Sequence, residues 1–382
     1  MLIKGNLKSL KQNQSNKTLP DFWIIGCLLV LVVFGCIMVY SASMYSAELN
    51  FGNKFFFLKK QVIGAVLGVC GMIVMMFVPY EKLKKWGLIS VCISAILLLL
   101  VFVPKIGIEN YGARRWVNLG VITIQPSELA KVSFVLYSSS VMCDITTKMK
   151  TFKGIFPVVL IGGVFCLLII TEPNMSITMC MGLLLIVMLF VGGASFKHFM
   201  LLLIPAMLLV PLLIIIEPYR MKRLIAFMDP FASASSEGFQ LVQSLYAIGS
   251  GDWFGVGIFN SRQKYLFLPF AESDFIFSII VEETGFIGAL LLLLVYIVLI
   301  IRGLKIAKRA KDRFGCYLAT GVTCMIAIQV LLNIAVVTGS IPPTGLPLPF
   351  ISAGSTSLLV FMSAIGVVLN VDRQSRRGDF RH

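Results

Sequence analysis

The sequence predicts an all-α polytopic membrane protein, on three observations: its composition, the length of its apolar runs and the placement of its cations. Of 382 residues, 58% are hydrophobic and 13% charged, whereas a soluble domain carries about a quarter charged residues. The apolar residues gather in runs of roughly 18 or more, the length a helix needs to cross about 30 Å of hydrocarbon. Those runs show no strict alternation, which argues against a β-barrel.

The runs place about ten transmembrane helices near 22–45, 58–78, 87–104, 125–143, 154–171, 175–193, 199–217, 274–301, 314–338 and 356–371. An even number puts both termini on one side. That side also receives Lys82, Lys84, Lys85, Lys148, Lys150, Lys153, Lys197 and the run from Arg302 to Arg313, and the positive-inside rule makes it cytoplasmic. The chain divides into a basic cytoplasmic tail (1–20), a transmembrane domain (21–371) and a second basic cytoplasmic tail (372–382). Lys4, Lys8, Lys11 and Lys17 lead into an apolar run with no small-residue cleavage site, so the first helix is expected to be retained.

The outer side carries the long polar stretches: Lys105 to Ile124, Glu217 to Ser273 and Gly339 to Ser355. Short basic turns inside and elaborate loops outside imply chemistry or binding on the outer face. The extracellular loop between helices 7 and 8 (about 218–273) is far longer than the usual connection. Its segment Phe239 to Tyr246 has the pattern of a helix lying on or dipping into the membrane.

Composition excludes several functions. The net charge of +15 comes with no arginine-rich, aromatic-interleaved module, so nucleic acid is not an expected partner. Nine cysteines lie in or beside apolar runs without CxxC or zinc-ligand spacing, and His198 and His382 adjoin basic cytoplasmic segments. Neither histidine catalysis nor a zinc site is expected.

The densest polar constellation runs from Pro218 to Glu283, with Arg220, Lys222, Arg223, Arg262 and Lys264 beside Asp229, Glu237, Asp252, Glu272 and Asp274. Five outer cations in one loop run against the usual bias. An anionic ligand explains them, and so do solvent and lipid headgroups. Asp274 stands at the start of the eighth helix, before Phe275. It has two readings: an N-cap, which favours the ionised form, or a general base whose pKa apolar neighbours raise. Glu128 and Lys131 share a face of the fourth helix, as an ion pair or as part of a cavity. Gln329 and Asn333, four apart, suit interhelical hydrogen bonds. Gly249 to Gly257 is glycine-rich but lacks GK[ST], so it reads as a set of turns rather than a nucleotide loop. The proline-rich stretch Pro342 to Pro349 cannot continue a helix.

Gly112-Ala113-Arg114-Arg115-Trp116-Val117 followed by Gln125-Pro126-Ser127-Glu128-Leu129-Ala130-Lys131 closely resembles the second outer loop and fourth helix of the SEDS family (shape, elongation, division and sporulation). Val39 to Ser43, Gln243 to Gly251, Asp274 to Phe277 and Thr344 to Ser352 agree with it. Asn260 to Lys264 is more similar to the FtsW and SpoVE branch than to RodA. The resemblance implies a multi-pass protein of the bacterial cytoplasmic membrane that polymerises lipid II into peptidoglycan for division or sporulation. It implies lipid II and undecaprenyl-linked glycan as ligands, and a class B penicillin-binding protein and divisome-type membrane proteins as partners. A lipid II flippase and a scaffold that recruits a cell-wall synthase are the alternatives.

The family's essential aspartate maps onto Asp274, as the base that takes the acceptor hydroxyl proton. Arg114, Arg115, Arg220, Arg223, Arg262 and Lys264 become candidates for the pyrophosphate, with Glu128, Lys131, Glu272 and Ser352 as further substrate-binding candidates. No cofactor is required by the pattern. A divalent cation is a candidate to share the pyrophosphate charge, although no acidic metal cluster is evident. The chain departs from the family at Phe270, where a Glu is usual, at Asn174, which replaces an Asp, and at Ala353 and Ser355, which replace a Tyr and a Gly.

Overall fold

The computed structural model describes residues 20–110, 113–118, 123–201, 204 and 218–378. Asp21 starts α1 (Phe22–Phe51) by accepting from the amides of Trp23 (3.0 Å) and Ile24 (3.4 Å), as an N-cap should. Gly52, at φ 64°, ends it with its amide on the Glu48 carbonyl, the left-handed cap that glycine adopts without strain. There follow α2 (Phe56–Phe77), α3 (Tyr80–Leu100), α4 (Pro126–Asp144), α5 (Phe152–Thr171), α6 (Met175–Val191), α7 (Pro218–Met228), α8 (Phe239–Ser250), α9 (Ile276–Lys308), α10 (Arg313–Val337) and α11 (Ser355–Gly378).

Seven of these helices are long and apolar enough to span a membrane among the described residues, and α6 is a shorter apolar helix. α9 and α10 pack along each other at the centre, α10 against α4 and α6, α9 against α1, and α2 lies along α11. The α2–α11 contact rests on small residues: a Cβ at Gly64 would sit 2.8 Å from the Ser355 Cα, and one at Gly68 2.5 Å from the Met362 sulfur. Close backbone approach of this kind is how helices associate where lipid offers no hydrophobic drive. The outward faces remain apolar, with Val62, Ile63 and Val66 on α2 and Leu290, Leu291 and Leu294 on α9 all exposed.

Several elements differ from the sequence expectation. α3 begins at Tyr80 rather than 87, because the Glu- and Lys-rich first turns are good helix formers, and it stops at Leu100 ahead of Pro104, which disfavours helix at the residue before it. The stretch 105–124, expected to be irregular, holds an antiparallel sheet of β1 (Gly107–Asn110), β2 (Ala113–Asn118) and β3 (Thr123–Ile124), too short to show alternation in sequence. The long outer loop contains α7 and α8. The last helix continues past 371 to Gly378, where Asp372 pairs with Arg376 one turn on (2.9 Å). Most of the helix expected at 199–217 and most of the tail 1–20 lie outside the described residues.

α9 is broken. Gly285 has φ 71° and ψ −175° inside it, which frees carbonyls before the break and amides after it. The glycine-rich loop fills both gaps: Val256 and Gly257 donate to the carbonyls of Glu282 (2.9 Å) and Glu283 (3.1 Å), while Phe286 and Ile287 donate to those of Asp252 (2.8 Å) and Trp253 (3.2 Å). Irregular backbone within a membrane protein is stable when protein satisfies it in this way.

Candidate active site

Asp274 sits in the turn before α9, and it does not cap that helix. Phe275 occupies the cap position without a side-chain bond, so the capping reading of Asp274 does not hold. Its main-chain carbonyl accepts from Asn333 Nδ2 (2.9 Å), and its carboxylate lies so close to Gly345 that a Cβ there would meet Oδ2 at 2.7 Å. Arg115 from β2 and Arg223 from α7 are the cations that act on it, with Glu272 opposing them. The residue keeps some contact with solvent, yet burial of the carboxyl outweighs both arginines and pushes its pKa up to about 6. Burial raises Glu272 as well, against a hydrogen bond from its own backbone.

The turn is held from three sides. Ser352 Oγ donates to the Ser273 carbonyl (2.6 Å) and accepts from the Leu348 amide (2.7 Å), and the Ala353 amide donates to the Glu272 carbonyl (2.9 Å). Gln61 of α2 donates to the carbonyls of Ile351 (3.3 Å) and Ser352 (3.2 Å). Ser244 of α8 bonds to Ser278 and to the Val337 carbonyl, each at 2.7 Å. Asn333 also reaches the Leu346 carbonyl (2.6 Å), so the amide pair of α10 anchors loops rather than only helices.

Glu128 and Lys131 form a wholly buried pair (3.0 Å). Lys131 also donates to Gln329 Oε1, Gln329 Nε2 donates to the Pro347 carbonyl (3.0 Å), and Ser357 donates to Glu128 Oε2 (3.4 Å). The pair is thereby joined through Gln329 to the same proline-rich segment that flanks Asp274.

The other sequence candidates separate. Lys264 is 2% exposed and bonds to Glu283 (3.1 Å) and to Ser41 of α1 (3.2 Å), while Ser41 donates to the same Glu283 oxygen (2.6 Å). With Ser261 and Arg262 donating their amides to Glu283 (3.3 Å) and Glu282 (2.8 Å), this cluster fastens the loop to α1 and α9. The Arg262 side chain is exposed. Arg114 makes an exposed ion pair with Glu109 (3.1 Å). Arg223 donates to the Pro343 carbonyl (3.2 Å). The side chain of Arg220 lies outside the described residues.

Sequence reasoning passed over Glu172, which is fully buried between α5 and α6. Arg115 donates through Nε to its carbonyl (3.4 Å) and through Nη2 to that of Pro173. Burial pushes its carboxyl up to about 8 against the pull of Arg115. The signal that would have found Glu172 and the Glu282–Glu283 pair is the same: acids at the edge of or inside apolar runs, where charge is costly. Among the described residues, no three His, Cys, Asp or Glu side chains come together to hold a metal ion.

A bundle of membrane-spanning helices that gathers a desolvated carboxylate and two arginines at one end defines a multi-pass membrane protein with its chemistry at a membrane surface. Residues 22–377 match the cell cycle protein family FtsW/RodA/SpoVE, and the chain belongs to that family. It is 41% identical over 365 residues to the stage V sporulation protein E of Bacillus subtilis (strain 168), covering 95% of this chain and 99% of that protein. It is 39% identical over 357 residues to a probable peptidoglycan glycosyltransferase FtsW of Geobacter sp. (strain M18), covering 93% and 97%. Among solved structures it resembles a chain of a peptidoglycan synthase complex that coordinates polymerization and crosslinking, with a TM-score of 0.78 and 26% identity over 94% of this chain and 99% of that one. The rod shape determining protein RodA of Thermus thermophilus shares the fold, with a TM-score of 0.69 at 23% identity over 94% and 99%.

Proposed function

We propose that this protein is a peptidoglycan glycosyltransferase that polymerises lipid II into glycan strands on the outer face of the cytoplasmic membrane, with Asp274 as its general base. The observation that carries the assignment of the base is the Asp274 carboxylate, desolvated, without a capping bond and under the influence of Arg115 and Arg223. A base with pKa about 6 is ionised at neutral pH and still able to accept a proton. It takes the proton of the acceptor sugar hydroxyl as that oxygen bonds to the donor's anomeric carbon. The bond from that carbon to the pyrophosphate breaks, with inversion, and undecaprenyl pyrophosphate leaves. Arg115 and Arg223 stabilise the charge that develops on the leaving group. Lys264 is not assigned to that task, because its ammonium is enclosed with Glu283 and Ser41. Arg114 and Arg262, both exposed, serve as outlying contacts for phosphate. A divalent cation in this site would rely on the pyrophosphate for most of its ligands, since Asp274 and Glu272 offer two carboxylates and hard cations need about six oxygens.

The relatives' names support the reading, and the role in division or sporulation comes with them. A class B penicillin-binding protein is the proposed partner that crosslinks the product, alongside divisome-type membrane proteins. The flippase alternative draws little from Glu128 and Lys131, whose charges are paired and enclosed by Gln329 and Ser357 rather than lining a path.

The test is to incubate purified protein, with and without its penicillin-binding partner, with labelled lipid II in detergent. Wild type yields glycan polymer and Asp274→Asn lowers the rate by about 10²–10⁴. Unchanged polymer in that variant removes Asp274 as the base. Lipid II crossing vesicles with no polymer under any condition restores the flippase, and neither activity leaves the scaffold.

A further inference from the structure

Among the described residues, Glu172 is the carboxyl whose two oxygens are both buried without a hydrogen-bond partner. An ionised carboxylate left in that state would be destabilising by several kcal/mol, so the group is held as the neutral acid. Its neighbour toward the site is Arg115. That arginine reaches from β2 to the α5–α6 turn and is held by the carbonyls of Glu172 and Pro173 rather than by the Glu172 carboxyl. The same guanidinium is the foremost charge acting on Asp274. One cation therefore stands in the field of two acids, one in the reaction site and one sealed behind it.

Resting on the polymerase reading above, we propose that Glu172 is a positioning residue of the reaction: as a neutral buried acid it fixes Arg115 through the main chain of its turn while leaving the arginine's charge directed at Asp274 and the departing pyrophosphate. Ionisation of Glu172 would release its proton to solvent and place a carboxylate beside Arg115. That carboxylate would draw the guanidinium's field to itself. Asp274 would then lose its principal stabilising cation, and the leaving group would lose part of its electrostatic support.

The groups that set the balance are few. On Glu172 the acting charge is Arg115, while Thr171 and Pro173 on either side are neutral, as is Asn174, which caps α6 through the Ile177 amide (3.4 Å). On Asp274 they are Arg115, Glu272 and Arg223. Burial holds the Glu172 carboxyl up at about 8 and the Asp274 carboxyl at about 6. Between these values Asp274 is ionised and Glu172 is not. This is the arrangement in which Arg115 serves the reaction.

The experiment is the rate of labelled lipid II polymerisation by the full chain with its penicillin-binding partner, from acid to alkaline pH. Wild type should give a bell, with an acid limb near 6 and an alkaline limb near 8. Glu172→Gln, which keeps the shape of a neutral acid, should hold the neutral-pH rate within about threefold and lose the alkaline limb while keeping the acid one. Arg115→Lys should lower the rate across the whole range. An alkaline limb unchanged in Glu172→Gln overturns the proposal, and so does a Glu172→Gln enzyme as inactive as Asp274→Asn. A wild-type profile flat through pH 8 overturns it without any variant, which keeps the idea testable if Glu172→Gln folds poorly. Absence of polymer from wild type removes the polymerase reading and this proposal with it, whereas polymer that depends on Asp274 but ignores Glu172 removes this proposal alone.

Discussion

Asp274 shows how one side chain can satisfy two demands that conflict in sequence. At the start of a helix an aspartate is ordinarily a cap, and a cap lowers its pKa. Here the helix begins two residues later, so the carboxylate is free of that duty and burial raises it to about 6. The sign of the pH effect follows: on the acid side activity falls as pH drops through about 6 and Asp274 takes up its proton, an acid limb that Asp274→Asn should abolish. Gly345 carries a separate prediction. A Cβ at that position would press on Asp274 Oδ2 at 2.7 Å, so Gly345→Ala should displace the base and cost about 10²-fold in turnover with little change in thermal midpoint. A wild-type rate in Gly345→Ala would mean that the carboxylate acts from another position. Glu172 adds a stability signature. Its folded-state pKa lies above the unfolded one, so the fold loses stability as pH rises from about 4.5 through about 8. Glu172→Gln should flatten that slope in a thermal melt. What could be read of these residues in advance was their kind and not their company. Asp274 was visible as a charge beside an overlong loop, whereas Glu172 passed unnoticed because its importance lies in an arginine some 57 residues away.

At the scale of elements, the lesson is that the outer loop is a fitted part of the bundle. Hydrophobic runs are strong signals, and α1, α2, α4, α5, α6, α9, α10 and α11 all begin within a few residues of where those runs place them. The sheet was not legible, since strands of two to six residues carry no readable period. The break at Gly285 was hidden as well: a single glycine in a long apolar run is unremarkable, and its meaning depends on the loop from Asp252 to Gly257 that completes its hydrogen bonds. Lys264 was expected among the phosphate contacts, yet it lies in the seam between that loop and α1. Breaking one partner of such a buried pair leaves the other charge uncompensated and costs about 3–5 kcal/mol. Glu283→Leu and Lys264→Met should therefore each destabilise the protein in denaturant titrations. The double variant, with no stranded charge, should recover much of the loss. Additive losses in the double variant would show that Ser41, Ser261 and the loop backbone hold the seam without the ion pair.

At the scale of the whole molecule, the two ends of the bundle differ in the work their charges do. At one end Asp21 joins Arg302 and Arg376 (the latter at 3.6 Å), Tyr80 donates to Asp312 (2.7 Å), and Lys84 pairs with Asp144 (2.5 Å). These contacts gather the first residues of α1, α3 and α10 with the last residues of α4, α9 and α11, so the basic segments around Lys84, Arg302 and Arg376 meet on one side. At the other end lie Asp274, Arg115, Arg223 and the proline-rich segment. The positive-inside rule assigns the first end to the cytoplasm, which turns the site toward the space where a lipid-linked sugar would be consumed. The orientation is directly measurable in a chain whose nine cysteines have been replaced. A membrane-impermeant maleimide applied to intact spheroplasts should label Arg262→Cys, exposed on the loop before α9, and should label Lys311→Cys, exposed between α9 and α10, only after the membrane is opened. Labelling in the reverse order would turn the active site inward. It would leave the helix bundle as described, but it would remove the outer face as the place of polymerisation.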